Sequence, residues 1–172
     1  MSVVAAFVGF IGLSQKRPKS HRATAAGHPD RGQYVSCLLN GQPWTPRGSN
    51  GTDNYKVIYD AGYIGGYLDI RAYRYPPGQT VSQYLSLAGS PVTAPGTYPL
   101  DGGKGGAYYS SGLKGACSEC TYRTPGIYMR GQLVVTRLDL RAGIISGTFA
   151  LTLSQPGCDT VKVTQGRFDK KH

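Results

Sequence analysis

The chain has 172 residues, of which 40% are hydrophobic, with 25 Gly, 11 Pro and a formal net charge of +10. This composition excludes a disordered chain, and it favours one turn-rich β domain with a tail. The basic charge would attract anionic surfaces, but no basic run is interleaved with aromatic residues, so the sequence does not favour nucleic acid as a partner.

The chain opens with an apolar run of eleven residues, Val3–Leu13. A helix that spans a bilayer needs about 20 residues, whereas a run of this length fits the apolar region of a secretory signal. The cations of Lys16–Arg22 follow the run instead of preceding it, and no lipid-accepting cysteine stands after it. We expect residues 1–33 to be a degenerate or truncated signal-like segment and a flexible basic linker, through which the protein can associate with a membrane.

Alternating apolar and polar residues predict a series of short strands from residue 34 onward, because successive side chains of a strand point to opposite faces. Asn40-Gly41 is a strong hairpin signal between the first two strands. The predicted strands of this half are Gln33–Asn40, Pro43-Trp44, Tyr55–Asp60, Tyr67–Tyr75, Val81–Leu87 and Ala107–Ser111.

Three consecutive antiparallel strands are predicted at the C-terminal end, and the chain is organised around them. They are Leu133–Leu140, Ile144–Leu153 and Asp159–Phe168, separated by turns that contain Gly143 and Gly157. The middle strand alternates most regularly and places Phe149 on its apolar face. We therefore expect an all-β fold over residues 34–172: a single antiparallel β-sandwich or flattened barrel of about nine or ten strands, preceded by a flexible N-terminal tail.

Four cysteines lie in the β domain: Cys37, Cys117, Cys120 and Cys158. Their even number in an exported domain favours disulfides, with a pairing that four cysteines leave open among three connectivities. Two alternatives remain for Cys117-x-x-Cys120. It could belong to a four-cysteine zinc site, although a second such motif is missing, or to a thiol-based redox site, although no helix follows it.

No catalytic constellation stands out. All three histidines lie in the tails, and Asp60, Asp69 and Asp139 lie on or at the ends of predicted strands. We expect these acids to pair with neighbouring Arg71, Arg74 or Arg137 and not to form the carboxylate pair of a glycosidase. The sequence therefore predicts no catalytic residue, no metal ligand and no cofactor.

The chain has 13 Tyr and one Trp. Aromatic residues of this kind can form a platform on which a sugar or another ring stacks, although packing at the rim of a sheet is the commoner role of tyrosine. The candidates for ligand-facing aromatics are Trp44, Tyr63, Tyr67, Tyr73 and Tyr75.

Six segments spread over residues 34–169 carry a family resemblance: Cys37–Trp44, Gly48–Thr52, Ile70–Tyr75, Ile144–Phe149, Gly157–Thr160 and Gly166–Asp169. In these segments the chain resembles a family of small lipoproteins of Bacteroidota that is defined only as a domain of unknown function. The resemblance implies an all-β domain displayed beyond the inner membrane on a lipid anchor, and it implies no activity and no functional residues. The chain departs from the family pattern because the lipid-accepting cysteine is missing.

Together these observations predict a monomeric, non-enzymatic binding or structural protein of the cell envelope. It would lie outside the cytoplasm, in the periplasm, at the outer membrane or on the cell surface. Its partner would be an envelope component or a small ligand. A carbohydrate- or small-ligand-binding module that uses the aromatic set is the first alternative, and a redox enzyme that uses Cys117 and Cys120 is the second.

Overall fold

A computed structural model describes residues 33–112, 120–123 and 126–171. These residues form eleven strands in two antiparallel sheets that do not close into a barrel, which confirms the all-β prediction and selects the sandwich. Of the predicted signal-like segment and linker at 1–33, residues 1–32 lie outside the described residues, and Gln33 is the first residue of β1. The strands are β1 Gln33–Leu39, β2 Gln42–Trp44, β3 Tyr55–Asp60, β4 Tyr67–Arg74, β5 Gln83–Gly89, β6 Gly96–Leu100, β7 Gly105–Ser111, β8 Thr121–Arg123, β9 Tyr128–Asp139, β10 Ile144–Ser154 and β11 Val161–Lys171.

The larger sheet has six strands in the order β2-β1-β11-β10-β9-β6. Its centre is the predicted run of three strands, in which β9 pairs with β10 and β10 pairs with β11. β1 pairs with β11, so the first and last described strands lie side by side. The predicted hairpin joins β1 to β2, and both of its turn residues, Asn40 and Gly41, have positive φ, as a tight two-residue turn requires.

Two phenylalanines and two glycines face each other in the middle of this sheet. Phe149 on β10 lies opposite Gly166 on β11, and Phe168 on β11 lies opposite Gly147 on β10. Both rings are buried, and each occupies the space that a Cβ on the opposing glycine would need. The two strands can therefore approach only because glycine stands at both positions, and the paired rings pin their register.

The smaller sheet has five strands in the order β3-β4-β5-β7-β8. The alternation predicted for Tyr67–Tyr75 is confirmed, since Leu68, Ile70 and Ala72 face the core. The strand predicted at Val81–Leu87 begins two residues later, at Gln83, and Val81 is exposed. The short β6 and β8 were not predicted, which is why the nine predicted strands fall two short of the eleven in the structure. β9 begins five residues before the predicted strand, at Tyr128.

The inward faces of both sheets enclose one apolar core. Two hydroxyl groups tie the sheets together at its edges. Tyr55 on β3 donates to the carbonyl oxygen of Asp169 on β11, at 3.1 Å, and Tyr122 on β8 donates to the carbonyl oxygen of Asp159, just before β11. Because the core occupies one face of each sheet, the opposite face of each is left toward solvent.

We expect Gly166→Ala to lower the free energy of unfolding by about 2 kcal/mol, because the new methyl group would overlap the buried ring of Phe149 and the strand cannot move away from it. Urea denaturation followed by tryptophan fluorescence measures the change. Gly62→Ala is the matched control, since a Cβ there meets only one atom, at 3.5 Å. Equal stability of the two variants would contradict the proposed packing.

Candidate functional site

The disulfide of the described region joins Cys120 to Cys158, 38 residues apart. It connects the residue before β8 in the smaller sheet to the turn between β10 and β11 in the larger one. Two of the four sulfurs are thus bonded to each other, which removes them from a four-cysteine zinc site. Cys117 lies outside the described residues. No group of three or more potential metal ligands lies close together in the part of the chain that the structure describes.

Cys37 was a disulfide candidate, and that prediction is wrong. Its thiol is free and fully buried on β1, directly opposite Trp44 of β2. Burial raises the pKa of the Cys37 thiol to about 12, so it stays protonated at neutral pH. Cys37 therefore acts as a small apolar residue of the core.

Two of the five candidate aromatics are buried. The prediction of Trp44 as a ligand-facing residue is wrong, whereas Tyr73, although nearly covered, lines an open hollow on the outer face of the smaller sheet. Trp44 is 2% exposed and donates its indole N–H to the side-chain oxygen of Gln83, at 3.1 Å. Tyr73 is 8% exposed, and its hydroxyl accepts the backbone N–H of Asn50 and donates to the carbonyl oxygen of Thr52. Their polar atoms are used to hold neighbouring segments of this chain.

The other three aromatics do not form one platform either. Tyr63 and Tyr67 meet edge to face, with ring centroids 5.6 Å apart, at the start of β4. Tyr75 lies just beyond the end of β4, edge to face with Tyr73. Because each residue of a strand advances the chain by about 3.3 Å, the two pairs are separated by about 20 Å.

The prediction of ion-paired acids is confirmed for two of three residues. Asp69 accepts two hydrogen bonds from Arg71, at 2.8 and 2.5 Å, and Asp139 accepts one from Arg137, at 2.8 Å. Asp60 differs, because its carboxylate accepts the backbone N–H groups of the turn that follows β3. Arg74 donates to the carbonyl oxygen of Pro43 and has no acidic partner among the described residues.

The outer face of the smaller sheet carries an ordered row of polar residues that the sequence analysis did not identify. Five residues, one from each strand, form a line across the sheet, and each lies directly opposite its neighbour on the adjacent strand. We call this set the transverse row. Its members, in order from β3 to β8, are Lys56, Arg71, Ser86, Tyr108 and Arg123.

Two tyrosines stand beside each other on this face. Tyr84 and Tyr108 meet edge to face, with ring centroids 5.6 Å apart. Both side chains are half-buried. Two open hollows lie on the face, of about 510 and 720 Å³, and they share Arg71 and Tyr84 in their linings. The hollows therefore adjoin, and they offer one continuous surface about these residues.

The charges of the face are unevenly matched, since its hollows are lined by three cations, Lys56, Arg71 and Arg123, and by two carboxylates, Asp53 and Asp69. Arg71 is held by Asp69, a carboxylate with a side chain only 5% exposed. That contact is the main reason why the pKa of Arg71 is raised, and it fixes the guanidinium over the sheet. Lys56 lies directly opposite Arg71, and like charges in such positions repel.

The phenols of Tyr84 and Tyr67 are protonated at neutral pH. Burial, more than any neighbouring charge, raises the pKa of Tyr84 above its usual value, and burial followed by the charge of Asp69 raises that of Tyr67. Each hydroxyl can therefore donate a hydrogen bond as well as accept one. The face combines cations, hydroxyl groups and aromatic rings, which are the groups that recognise polar, ring-containing ligands.

No protein-family model, curated protein or solved structure matches this chain. The resemblance to Bacteroidota lipoproteins therefore remains a prediction. The features of the molecule that bear on its function are the outer face of the smaller sheet and the disulfide. The sequence showed the alternation within β4 and β5 that turns these side chains outward. It did not show which residues of neighbouring strands lie opposite each other.

We expect the double variant Cys120→Ala/Cys158→Ala to unfold at lower urea concentration, with a loss of about 2–4 kcal/mol, because the disulfide restricts the unfolded chain across 38 residues. The wild-type protein treated with reductant should lose the same amount. Alkylation of the native, unreduced protein followed by peptide mapping should recover Cys120 linked to Cys158, and Cys37 modified only after unfolding. Alkylation of Cys120 and Cys158 without reduction would refute the pairing.

Proposed function

We propose that the protein is a non-enzymatic binding module that acts outside the cytoplasm and holds its ligand on the outer face of β3-β4-β5-β7-β8. The observation that carries this proposal is the transverse row, in which five strands align polar and charged side chains on one open surface. Such an alignment does not help the core, because every member of the row points away from it.

The cost of the arrangement supports a binding role. A sheet that served only as scaffold would gain stability from opposite charges at facing positions, whereas Lys56 and Arg71 repel each other. Tyr84 and Tyr108 leave part of their rings toward solvent next to these cations. Exposed aromatic rings beside fixed polar groups are typical of sites that bind small molecules and sugars.

The disulfide supports a location in an oxidising compartment, where such bonds form and persist. Among the described residues, no helix is long and apolar enough to cross a bilayer. The apolar run at Val3–Leu13 and the basic linker fit an exported protein. In this proposal the protein acts at the cell envelope as a monomer, and it binds an envelope component or a small ligand.

The pairing of Cys120 argues against the thiol-based alternative. A redox site at Cys117-x-x-Cys120 would need these two sulfurs to form and break a bond with each other, whereas Cys120 is bonded to Cys158, 38 residues away along the chain. Binding therefore has a specific structural basis on the outer face, and the redox role has none among the described cysteines.

We expect Tyr84→Ala and Tyr108→Ala each to weaken ligand binding about tenfold, or about 1.4 kcal/mol, through loss of a stacking surface. Binding to an array of neutral and acidic glycans, followed by calorimetry on the glycans retained, measures the effect. Tyr128→Ala is the matched control, because Tyr128 is 58% exposed on the other sheet. Unchanged binding in both test variants would exclude this face as the site.

We also expect the native protein, expressed from its own start in its own cells, to fractionate outside the cytosol with its disulfide intact. Trapping of thiols in whole cells before lysis, followed by mass spectrometry of each fraction, measures both properties together. A cytosolic marker protein with free cysteines is the control for oxidation during lysis. Recovery of reduced protein in the cytosolic fraction would overturn the proposed location and leave the binding face untouched.

A further inference from the structure

We infer that the ligand of this face is an acidic oligosaccharide, a chain of sugar rings bearing carboxylates, which lies across the strands along the transverse row. The inference rests on the proposed binding function and specifies its ligand class. Three features of the face support it: the length and direction of the row, the exposed cations at its two ends, and the hydroxyl groups and aromatic ring that lie between the cations.

The row is long and straight enough for a chain-like ligand. Its members belong to five neighbouring strands in direct register, and strands lie about 4.8 Å apart, so Lys56 and Arg123 are separated by about 19 Å. The adjoining hollows follow the same direction over β3, β4, β5 and β7. A compact ligand would contact one part of this row, whereas several linked rings would contact all of it.

The cations of the row call for an anionic partner. Lys56 and Arg123 are exposed at its two ends, and neither has an acidic partner in the part of the chain that the structure describes. Arg71 lies between them with one carboxylate, Asp69, beneath it. Carboxylates on a bound chain would relieve the repulsion between Lys56 and Arg71 and would neutralise Arg123.

The groups between the cations suit sugar rings better than a phosphate backbone. Ser86 and Tyr108 occupy the row between Arg71 and Arg123, and they offer hydroxyl groups and an aromatic ring in place of further positive charge. Asp69 adds a carboxylate near the middle of the face. A nucleic acid carries one negative charge per nucleotide and would bring phosphates against that carboxylate, whereas sugar hydroxyls can donate to it.

The test compares two variants that lose the same charge from opposite faces. Lys56→Gln/Arg123→Gln removes both ends of the transverse row and leaves the Arg71–Asp69 pair intact. Arg130→Gln/Lys162→Gln removes two exposed cations from an equivalent cross-strand row, through Thr152, on the outer face of the larger sheet. Thermal unfolding is recorded for both variants, so that a loss of folding is recognised separately from a loss of binding.

Binding is measured by calorimetry at fixed ionic strength to oligomers of polygalacturonate, alginate and hyaluronan, and to polygalacturonate oligomers of the same length with methyl-esterified carboxylates. We expect the row variant to bind the acidic oligomers about fivefold more weakly than wild type, and the control variant to change by less than twofold. Methyl esterification should weaken binding to wild type and abolish the difference between the variants.

Each remaining outcome overturns the inference in a recognisable way. Equal losses in the two variants would assign the attraction to the overall charge of +10. Equal affinity for the esterified and free acids, or binding to none of the three acidic glycans, would exclude carboxylates as the determinant. A single-stranded oligonucleotide is titrated under the same conditions, and row-dependent binding that is tighter to it than to the glycans would indicate nucleic acid. Where Tyr84→Ala still weakens binding of a neutral glycan, the proposed binding face stands and only the ligand class fails.

Discussion

The contact between β10 and β11 is the constraint on which the rest of the structure depends. Phe149 and Phe168 each lie over a glycine of the opposing strand, so the two rings fill one layer of the core in a fixed register. A slip of one residue would turn every side chain of a strand to the other face. β1 pairs with β11 on one side of this contact, and β9 pairs with β10 on the other. The registers of β1 and β9 in the sheet therefore also depend on it.

The position of the smaller sheet is set by its packing against the larger sheet and by a few bonds to the segments around β11. The disulfide and the Tyr122 hydroxyl bring β8 to the turn before β11, and the Tyr55 hydroxyl brings β3 to the end of β11. These ties lie at opposite edges of the five-stranded sheet. With its inner face held on the core, the sheet presents an ordered outer face that stability alone does not require.

The outer faces of the two sheets differ in chemistry. The smaller sheet carries Tyr84 and Tyr108 with cations and one nearly buried carboxylate, Asp69. The larger sheet carries serine, threonine and scattered charges on its central strands, with Tyr128 at one end of β9. Exposed cations stand on both faces, because Arg130, Lys162 and Arg167 lie on the larger sheet. The feature that distinguishes the smaller sheet is its adjacent pair of half-buried tyrosines.

The sequence by itself determined the fold class, the central run of three strands and the turn at Asn40-Gly41, because alternation and turn chemistry are local properties of a chain. It also indicated which side chains of β4 face outward. Only the tertiary structure decided that Trp44 and Tyr73 are buried, that Cys120 bonds to Cys158, and that Lys56 meets Arg71 at one end of a row. These facts depend on which strands become neighbours and in what register. Contacts between residues distant in the chain decide that, and no local pattern records them.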